Sequence, residues 1–306
     1  MTSATLHRRA GSLADGPDPV HLTAEAAGWS SAGLRVLHLT GGERRTIETG
    51  PTEVAVLPLS VTGLVVVADG ERFELAGRSS VFERVTDFAY VGRDTTLTLT
   101  ADGDGEVALA TARCDRRLPA RYGRAAVVPV EVRGAGPSTR QVTNFLSPES
   151  WPHADRLMAV ELLTPDGNWS SYPPHRHDDS PECPVANEEI YYFRIGRVGR
   201  LGSAGSAPDR AGGFGLHRLY TTDGEIDENV AVGDGDVFLI PRGYHGPCIA
   251  APGYPMYYLN VLASDGGERS MAFCDDPAHH WVRDTWVGLP VDPRCPMTSA
   301  EGVVRG

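Results

Sequence analysis

Two stretches decide the fold of this chain: YPPHRHDDSPECPVANEEIYYF (Tyr172–Phe193) and VFLIPRGYHGPC (Val237–Cys248). The first places His175 and His177 one residue apart, directly after a Pro-Pro pair that restricts the backbone. In a β-strand, residues i and i+2 point to the same face, so both imidazoles can reach a single point. The pattern therefore predicts a paired-histidine site on a strand.

Two further groups complete this site. Glu189 directly precedes the strand-like run IYYF, and His245 follows the apolar run VFLIP. Three imidazoles and one carboxylate from three strands predict a site for a divalent metal: Zn, Mn, Fe, Co or Ni. The order HxH, glutamate, a Gly-Asp turn and then P…H resembles the cupin β-barrel. Glu182 stays open as the carboxylate ligand, because its five-residue offset from His177 is common in simple cupins.

Composition predicts an all-β protein. Gly (35) and Pro (23) are abundant among the 306 residues, and short Val-, Leu- and Thr-rich runs follow one another from Leu34 to Ala110 without a helical period. That spacing favours sandwiches or barrels. The first half has one strand histidine, His38, and no HxH. We therefore predict a loose N-terminal arm (1–20), a first barrel without metal (21–135) and a second barrel with the metal site (136–306).

Charge and cysteine usage exclude several classes of function. The net charge of −12 argues against nucleic acid or an anionic membrane as a partner. The chain has no lysine, which excludes lysine Schiff-base chemistry. Five widely spaced cysteines without CxxC predict reduced thiols in the cytoplasm rather than disulfides. No apolar run approaches the length of a membrane span or a secretion signal.

Two arginines are candidates for binding an anionic substrate. Arg140 follows the glycine-rich turn of 133–139, and Arg242 lies three residues before His245. Arginine suits bidentate binding of a carboxylate. By residue type alone, a surface or inter-domain role for Arg140 is the commoner alternative.

The second half resembles the 5-deoxy-glucuronate isomerase family of bacterial myo-inositol catabolism, and is more distantly similar to 5-keto-4-deoxyuronate isomerase. The matching segments are RQVTNFL (140–146), TPDGNWSSYPPHRHD (164–178), EEIYYFRI (188–195), PRGYHGP (241–247), APGYPMYYLNVLA (251–263) and DDPAHHW (275–281). In the family, proline usually follows the histidine of the GYH motif directly, whereas here Gly246 separates His245 from Pro247. The resemblance implies a bicupin, with two tandem double-stranded β-helix (jelly-roll) barrels. It also implies an isomerase that converts 5-deoxy-D-glucuronate into 5-dehydro-2-deoxy-D-gluconate.

Such a reaction needs a Lewis acid, a base that moves a proton between C1 and C2, and a cation for the distal carboxylate. The resemblance favours Glu189 over Glu182 as the ligand beside His175, His177 and His245, since the related uronate isomerase carries its glutamate before the aromatic strand. Glu182 is then a candidate catalytic proton shuttle, or only a loop residue.

The predicted substrate-binding residues are Arg140 and Arg242 for the carboxylate, and Tyr192, Tyr244 and Tyr258 for hydroxyls, although strand tyrosines are more often core residues. An Fe(II) cupin dioxygenase and a non-catalytic sugar-binding cupin are the alternatives. Because related isomerases are often oligomeric, a homo-oligomer is compatible with the sequence.

Overall fold

The structure is a computed structural model that describes residues 3–199, 212–264 and 268–304. The strands of the first half are β1 (His7–Arg8), β2 (Val20–Leu22), β3 (Ala32–Leu39), β4 (Arg44–Glu48), β5 (Thr52–Pro58), β6 (Thr62–Ala68), β7 (Glu71–Gly77), β8 (Phe88–Val91), β9 (Thr96–Ala101), β10 (Gly105–Arg113) and β11 (Arg121–Gly123). Those that follow are β12 (Val130–Arg133), β13 (Arg140–Leu146), β14 (Leu157–Thr164), β15 (Trp169–Ser170), β16 (His175–Arg176), β17 (Asp178–Ser180), β18 (Cys183–Ile195), β19 (Gly215–Tyr220), β20 (Asp227–Val232), β21 (Val237–Ile240), β22 (Tyr244–Ala250), β23 (Met256–Ser264), β24 (Cys274–Asp275), β25 (Thr298–Ser299) and β26 (Gly302–Val303).

The helices of the described residues are one or two turns long. They are α1 (Ser3–Leu6), α2 (Ala24–Ala27) and the 3-10 helices Ala125–Val127, Gly136–Ser138 and His280–Trp286. None has the length and apolarity that a membrane-spanning helix requires.

The strands form two antiparallel double-sheet barrels in tandem. In the first, a six-stranded sheet (β11-β8-β5-β10-β3-β2) faces a four-stranded sheet (β4-β9-β6-β7). In the second, an eight-stranded sheet (β1-β21-β18-β23-β14-β13-β12, with β17 beside β18) faces a six-stranded sheet (β20-β19-β22-β16-β24, with β15 beside β22). This architecture confirms the all-β prediction.

Strands β3, β5 and β10 are buried on both faces. On β3, Leu37 and Leu39 pack in the core of the first barrel. Leu34 and Val36 point the other way and join a larger core that includes the eight-stranded sheet of the second barrel. Successive side chains of a strand alternate between faces, so near-continuous apolar runs are required here. The large sheets of the two barrels therefore share one apolar layer.

Two carboxylates reinforce this contact between the barrels. Glu188, on β18, accepts backbone hydrogen bonds from Ser30, Ser31 and Ala32 at 2.7–2.9 Å. Glu161, on β14, forms a buried ion pair with Arg78 of the first barrel. The buried Glu161 is thus paired with a cation across the interface, as burial of a charge requires, and the half-buried Glu188 is held by backbone N–H groups.

The N-terminal segment is packed, which differs from the loose arm predicted. Leu6 is buried, and β1 pairs with β21 of the second barrel, with His7 opposite Phe238. The His7 imidazole lies 2.7 Å from the Asp236 carboxylate. The predicted division at residues 135 and 136 stays a prediction; β12 already pairs with β13 of the second half.

Candidate metal centre

The second barrel brings the four predicted ligands together from both of its sheets. His175, on β16, lies directly opposite His245, on β22. His177 follows β16 on the same face as His175. Glu189, on β18, reaches the cluster from the eight-stranded sheet, between Ile240 of β21 and Leu262 of β23. Their convergence follows from the closure of the barrel.

Three of the four form a tight group. The Glu189 Oε2 atom lies 2.8 Å from His177 Nε2 and 3.0 Å from His245 Nε2. The candidate ligand atoms of these three residues all lie within 4.8 Å of one another. The His175 ring lies beside this group, with its centroid 4.4 Å from that of His245. Its Nδ1 is 3.2 Å from the carbonyl oxygen of Pro173, which leaves Nε2 for another partner.

Burial and mutual charge govern protonation in this group. Burial raises the pKa of Glu189, but the neighbouring His245 and His177 outweigh it and hold that pKa well below its usual value. Burial, followed by the charge of His245, lowers the pKa of His175 well below its ordinary value. For His177, burial lowers the pKa, yet the Glu189 carboxylate outweighs it and the net shift is upward. The centre thus holds an ionised carboxylate among buried imidazoles.

The donor set fits a divalent metal. Glu189 Oε2 and His245 Nε2 are buried, and among the described residues neither has a hydrogen-bond partner of acceptable geometry, despite their short separation. Buried polar atoms in native proteins are nearly always satisfied. Lone pairs that converge on one point, rather than face a donor, are the arrangement expected of metal ligands. Three imidazoles and one carboxylate suit Zn, Mn, Fe, Co or Ni.

Hydroxyl groups continue the site into the barrel interior. Tyr258 lies within hydrogen-bond distance of Ser170 (2.6 Å) and Ser171 (2.8 Å), and Ser171 lies 3.3 Å from the Tyr191 hydroxyl. The Tyr191 and His245 ring centroids are 6.1 Å apart. Burial raises the pKa of both tyrosines well above the ordinary value, so each remains a neutral donor. Tyr258 thus lies in the barrel interior, and its predicted contact with a substrate hydroxyl stays a prediction.

Tyr191 was missed by sequence reasoning, although a signal was present. It lies two residues after Glu189, so the period of two along β18 places both side chains on one face. His217 was also missed: it is buried on β19, with Nδ1 3.1 Å from Cys248 Sγ. Burial, followed by the charge of His245, lowers its pKa to about 3. No spacing rule links His217 to the HxH pair.

The C-terminal segment packs beside the candidate metal centre, a contact that sequence reasoning also missed. The Phe273 ring centroid lies 4.7 Å from that of His175, and Asp275 lies opposite His175 in the pairing of β16 with β24. Arg283 forms two hydrogen bonds to Asp275 at 2.5 and 2.7 Å. The matched segment DDPAHHW contains Asp275, but its sequence does not indicate that this aspartate lies opposite His175.

Arg140 is a buried guanidinium without a carboxylate partner. Its Nη1 donates to the Ser138 carbonyl at 3.1 Å, its Nε has no hydrogen-bond partner, and it makes no ion pair within the described ranges. Burial lowers its pKa to about 10, with Tyr258 acting in the opposite direction. The structure thus places Arg140 next to the hydroxyl network and leaves part of its donor capacity unused.

Two predicted charged residues lie away from the centre. Glu182 sits at the turn between β17 and β18, its side chain is 73% exposed, and it bonds to Arg176 at 2.7 Å. Arg242 lies on the surface and is bonded to Asp223 and Glu225. Neither is brought to the histidines, because each is held by an opposite charge at the surface.

Two predicted tyrosines point to the wrong face of their strands. Tyr192 follows Tyr191 and therefore faces the first barrel, beside Arg194. Tyr244 precedes His245, and its ring packs outside the barrel against Arg176, 4.7 Å from the guanidinium carbon. Neither side chain faces the interior of the second barrel, since one residue of displacement reverses the side-chain direction.

The cysteine prediction is wrong for two residues. Cys183 and Cys274 form a disulfide that joins the start of β18 to β24. Cys114, Cys248 and Cys295 are free and buried. The barrel closure brings the paired cysteines together across 91 residues of sequence, which their spacing did not reveal.

Two tandem jelly-roll barrels, with a His-Glu cluster inside the second, define a bicupin with a candidate metal centre. The chain belongs to the KduI/IolB family, whose model matches residues 6–282. It is 41% identical over 270 residues to the 5-deoxy-glucuronate isomerase of Geobacillus thermodenitrificans, covering 87% of this chain and 91% of that protein.

Solved structures agree with this assignment. An IolB-like protein from Salmonella typhimurium LT2 superposes with a TM-score of 0.79 at 32% identity, covering 90% of this chain and 98% of the other. The oxalate decarboxylase of Lactobacillus farciminis shares the fold at a TM-score of 0.62 and 12% identity, covering 95% of this chain and 98% of that one. The bicupin prediction is thereby confirmed.

Proposed function

We propose that this protein is an aldose–ketose isomerase that converts 5-deoxy-D-glucuronate into 5-dehydro-2-deoxy-D-gluconate in myo-inositol breakdown, with one divalent metal held by His175, His177, Glu189 and His245. The observation that carries the proposal is the convergence of Glu189 with two imidazoles at 2.8 and 3.0 Å, without hydrogen-bond geometry. The identity of the proposed substrate is taken from the relatives named as 5-deoxy-glucuronate isomerases.

A bound divalent metal supplies Lewis acidity, which polarises a carbonyl and favours ionisation of the adjacent hydroxyl. The residues of the chain orient the substrate around it. The neutral Tyr191 and Tyr258 hydroxyls donate hydrogen bonds to sugar oxygens, and Ser171 connects the two. Barrel walls and the ring of Phe273 limit the access of water, which strengthens these electrostatic contacts.

Arg140 binds the distal carboxylate in this proposal. Among the described residues its buried guanidinium forms no ion pair and its Nε has no hydrogen-bond partner, so it has donor capacity for an anion. Glu182 is left out of this proposal as the proton shuttle. Its carboxylate is bonded to Arg176 at the surface, away from the histidines. The proton passes between C1 and C2 through an enediol, and a hydride shift at the same site is the alternative route.

A proton NMR time course of 5-deoxy-D-glucuronate in D2O tests the function. Samples before chelation, after chelation and after metal add-back are compared. Metal-dependent loss of the aldehyde signal, with deuterium in the ketose, is the expected result. Turnover without deuterium supports the hydride route. No turnover by the metal-loaded protein contradicts the proposal and directs attention to dioxygenase or sugar-binding activity.

A further inference from the structure

We propose that Asn260 is a substrate-contacting residue that binds the C3 or C4 hydroxyl of the sugar acid; this inference rests on the proposed function. Asn260 is on β23, in the middle of the eight-stranded sheet. It lies directly opposite Tyr191 on one side and Val160 on the other. Directly opposite residues share a face, so its amide points into the second barrel, as Tyr191 and Glu189 do.

Several inward-facing neighbours of this amide are apolar. Its inward-facing neighbours on β14 and β23 include Val160, Leu162 and Leu262, all of which belong to the buried set. Asn260 Oδ1 is buried and has no hydrogen-bond partner among the described residues. Buried amides are nearly always hydrogen-bonded. We therefore infer that the partner of this amide oxygen is a bound molecule.

The amide also borders open space. Asn260 keeps 8% of its surface accessible, whereas Tyr258 on the same face of the same strand keeps none. A residue of a central strand has neighbours on both sides, so this accessibility comes from the interior of the barrel. His177, at the metal centre, retains 6% in the same interior. Asn260 is therefore accessible from the space in which the histidines meet.

The distance to the metal centre matches a sugar carbon chain. Glu189 pairs with Leu262, which makes Asn260 the diagonal neighbour of Glu189 across the strands. Diagonal neighbours in antiparallel sheets lie roughly 7–8 Å apart, and their Cβ atoms are somewhat closer. With C1 and C2 at the metal, the C3 and C4 hydroxyls extend one or two bonds further into this interval.

The chemistry of the amide suits a hydroxyl. A sugar hydroxyl both donates and accepts, and the asparagine amide offers an acceptor oxygen and two donor hydrogens. A charged residue would compete with Glu189 for the metal or for the imidazoles. A neutral amide can hydrogen-bond substrate hydroxyls without competing with the proposed metal ligands. Asn260 is therefore a specificity-determining position in this proposal.

The test compares the wild type with Asn260→Leu, which keeps the side-chain size and removes both polar groups. Each is assayed on 5-deoxy-D-glucuronate and on its analogues lacking the C3 or the C4 hydroxyl. We expect Asn260→Leu to lower kcat/KM at least 10-fold, mainly through KM, with unchanged metal content and a Tm that is equal or higher. We expect one analogue to be a poor wild-type substrate that suffers no further loss with Asn260→Leu.

Asn144→Leu is the matched control, because the Asn144 amide contacts Glu131 at the surface of β13. Asn260→Thr serves as a second variant if leucine impairs folding, and it should retain part of the discrimination. A lower Tm with unchanged kinetics, or fully additive losses for variant and analogue, overturns the role of Asn260. Wild-type protein that does not turn over 5-deoxy-D-glucuronate overturns the proposed function as well, so the two failures are distinguishable.

Discussion

At the scale of single residues, chemically identical side chains of this protein have opposite environments. Glu189 is buried among imidazoles, while Glu182 is exposed and bonded to Arg176. Arg140 is buried and forms no ion pair within the described part of the chain, while Arg242 holds two surface carboxylates. Side-chain type sets what a residue can do, and burial with its partners sets whether that capacity is used.

The two glutamates provide a direct test of the metal centre. Glu189→Gln removes the anionic ligand, and we expect the purified variant to lose its metal and more than about 100-fold of kcat/KM, beyond the loss typical of outer-sphere positions. Glu182→Gln should keep both metal content and kcat/KM. Metal analysis and steady-state kinetics measure the two effects. Retention of metal by Glu189→Gln would contradict the ligand assignment.

The two arginines test carboxylate binding in the same way. We expect Arg140→Met to raise KM about 10- to 100-fold, because a hydrogen bond to a charged group is worth about 1.5–3 kcal/mol. Arg242→Met should leave KM unchanged, since its partners are surface carboxylates of the chain. Kinetics on 5-deoxy-D-glucuronate measure both. Equal KM values for the wild type and Arg140→Met would remove Arg140 from the substrate site.

At the scale of elements, successive side chains of β18 face two different surroundings, because a strand has a period of two. Glu189 and Tyr191 face the interior of the second barrel, and Glu188 and Tyr192 face the first barrel. The Glu188 carboxylate ends on backbone N–H groups of Ser30–Ala32. A single strand thus supplies both the candidate centre and the contact between barrels.

This parity predicts different outcomes for two adjacent tyrosines. Tyr191→Phe removes a hydroxyl from the network beside the centre, and we expect kcat/KM to fall about 3- to 10-fold, the value of one neutral hydrogen bond. Tyr192→Phe should leave kcat/KM unchanged, with any effect confined to Tm. Kinetics and thermal unfolding of both variants separate the roles. A larger loss of kcat/KM for Tyr192→Phe than for Tyr191→Phe would contradict the assignment of Tyr191 to the interior face of β18.

At the scale of the whole molecule, the two barrels are joined by a shared apolar layer with buried charges inside it. Glu161 is bound by Arg78 of the other barrel and by the Tyr257 hydroxyl at 2.9 Å. The disulfide Cys183–Cys274 adds a covalent connection between the ligand strand β18 and the segment that packs beside the centre. The strands that carry the candidate centre are therefore held in part by contacts far from it.

The buried ion pair predicts a large stability effect. Arg78→Met leaves the Glu161 carboxylate buried without its cation, and we expect unfolding to become easier by about 3–5 kcal/mol. The double variant Arg78→Met/Glu161→Leu should recover most of that loss, because neither charge then remains unpaired. Denaturant unfolding measures both. A single variant as stable as the wild type would show that the pair is solvated in solution.

The disulfide predicts a thiol count. Under denaturing conditions without reductant, three thiols should react, those of Cys114, Cys248 and Cys295, and five should react after reduction. Reduction should also lower stability by about 2–4 kcal/mol, because the closed loop of the unfolded chain is released. Five reactive thiols before reduction would show that Cys183 and Cys274 are not bonded.

The sequence by itself determined the all-β class, the tandem barrels and the histidines of the centre, because these depend on local spacing: short apolar runs, the HxH pair and a histidine after a Pro-ended strand. The choice of Glu189 over Glu182 came from the family resemblance, in which the glutamate precedes the aromatic strand. Only the tertiary structure decided what depends on closure of the barrel. Asn260, Tyr191, the Cys183–Cys274 pair and the surface positions of Glu182 and Arg242 follow from register, strand face and contacts between distant segments. Local sequence carries no record of which strand lies opposite which.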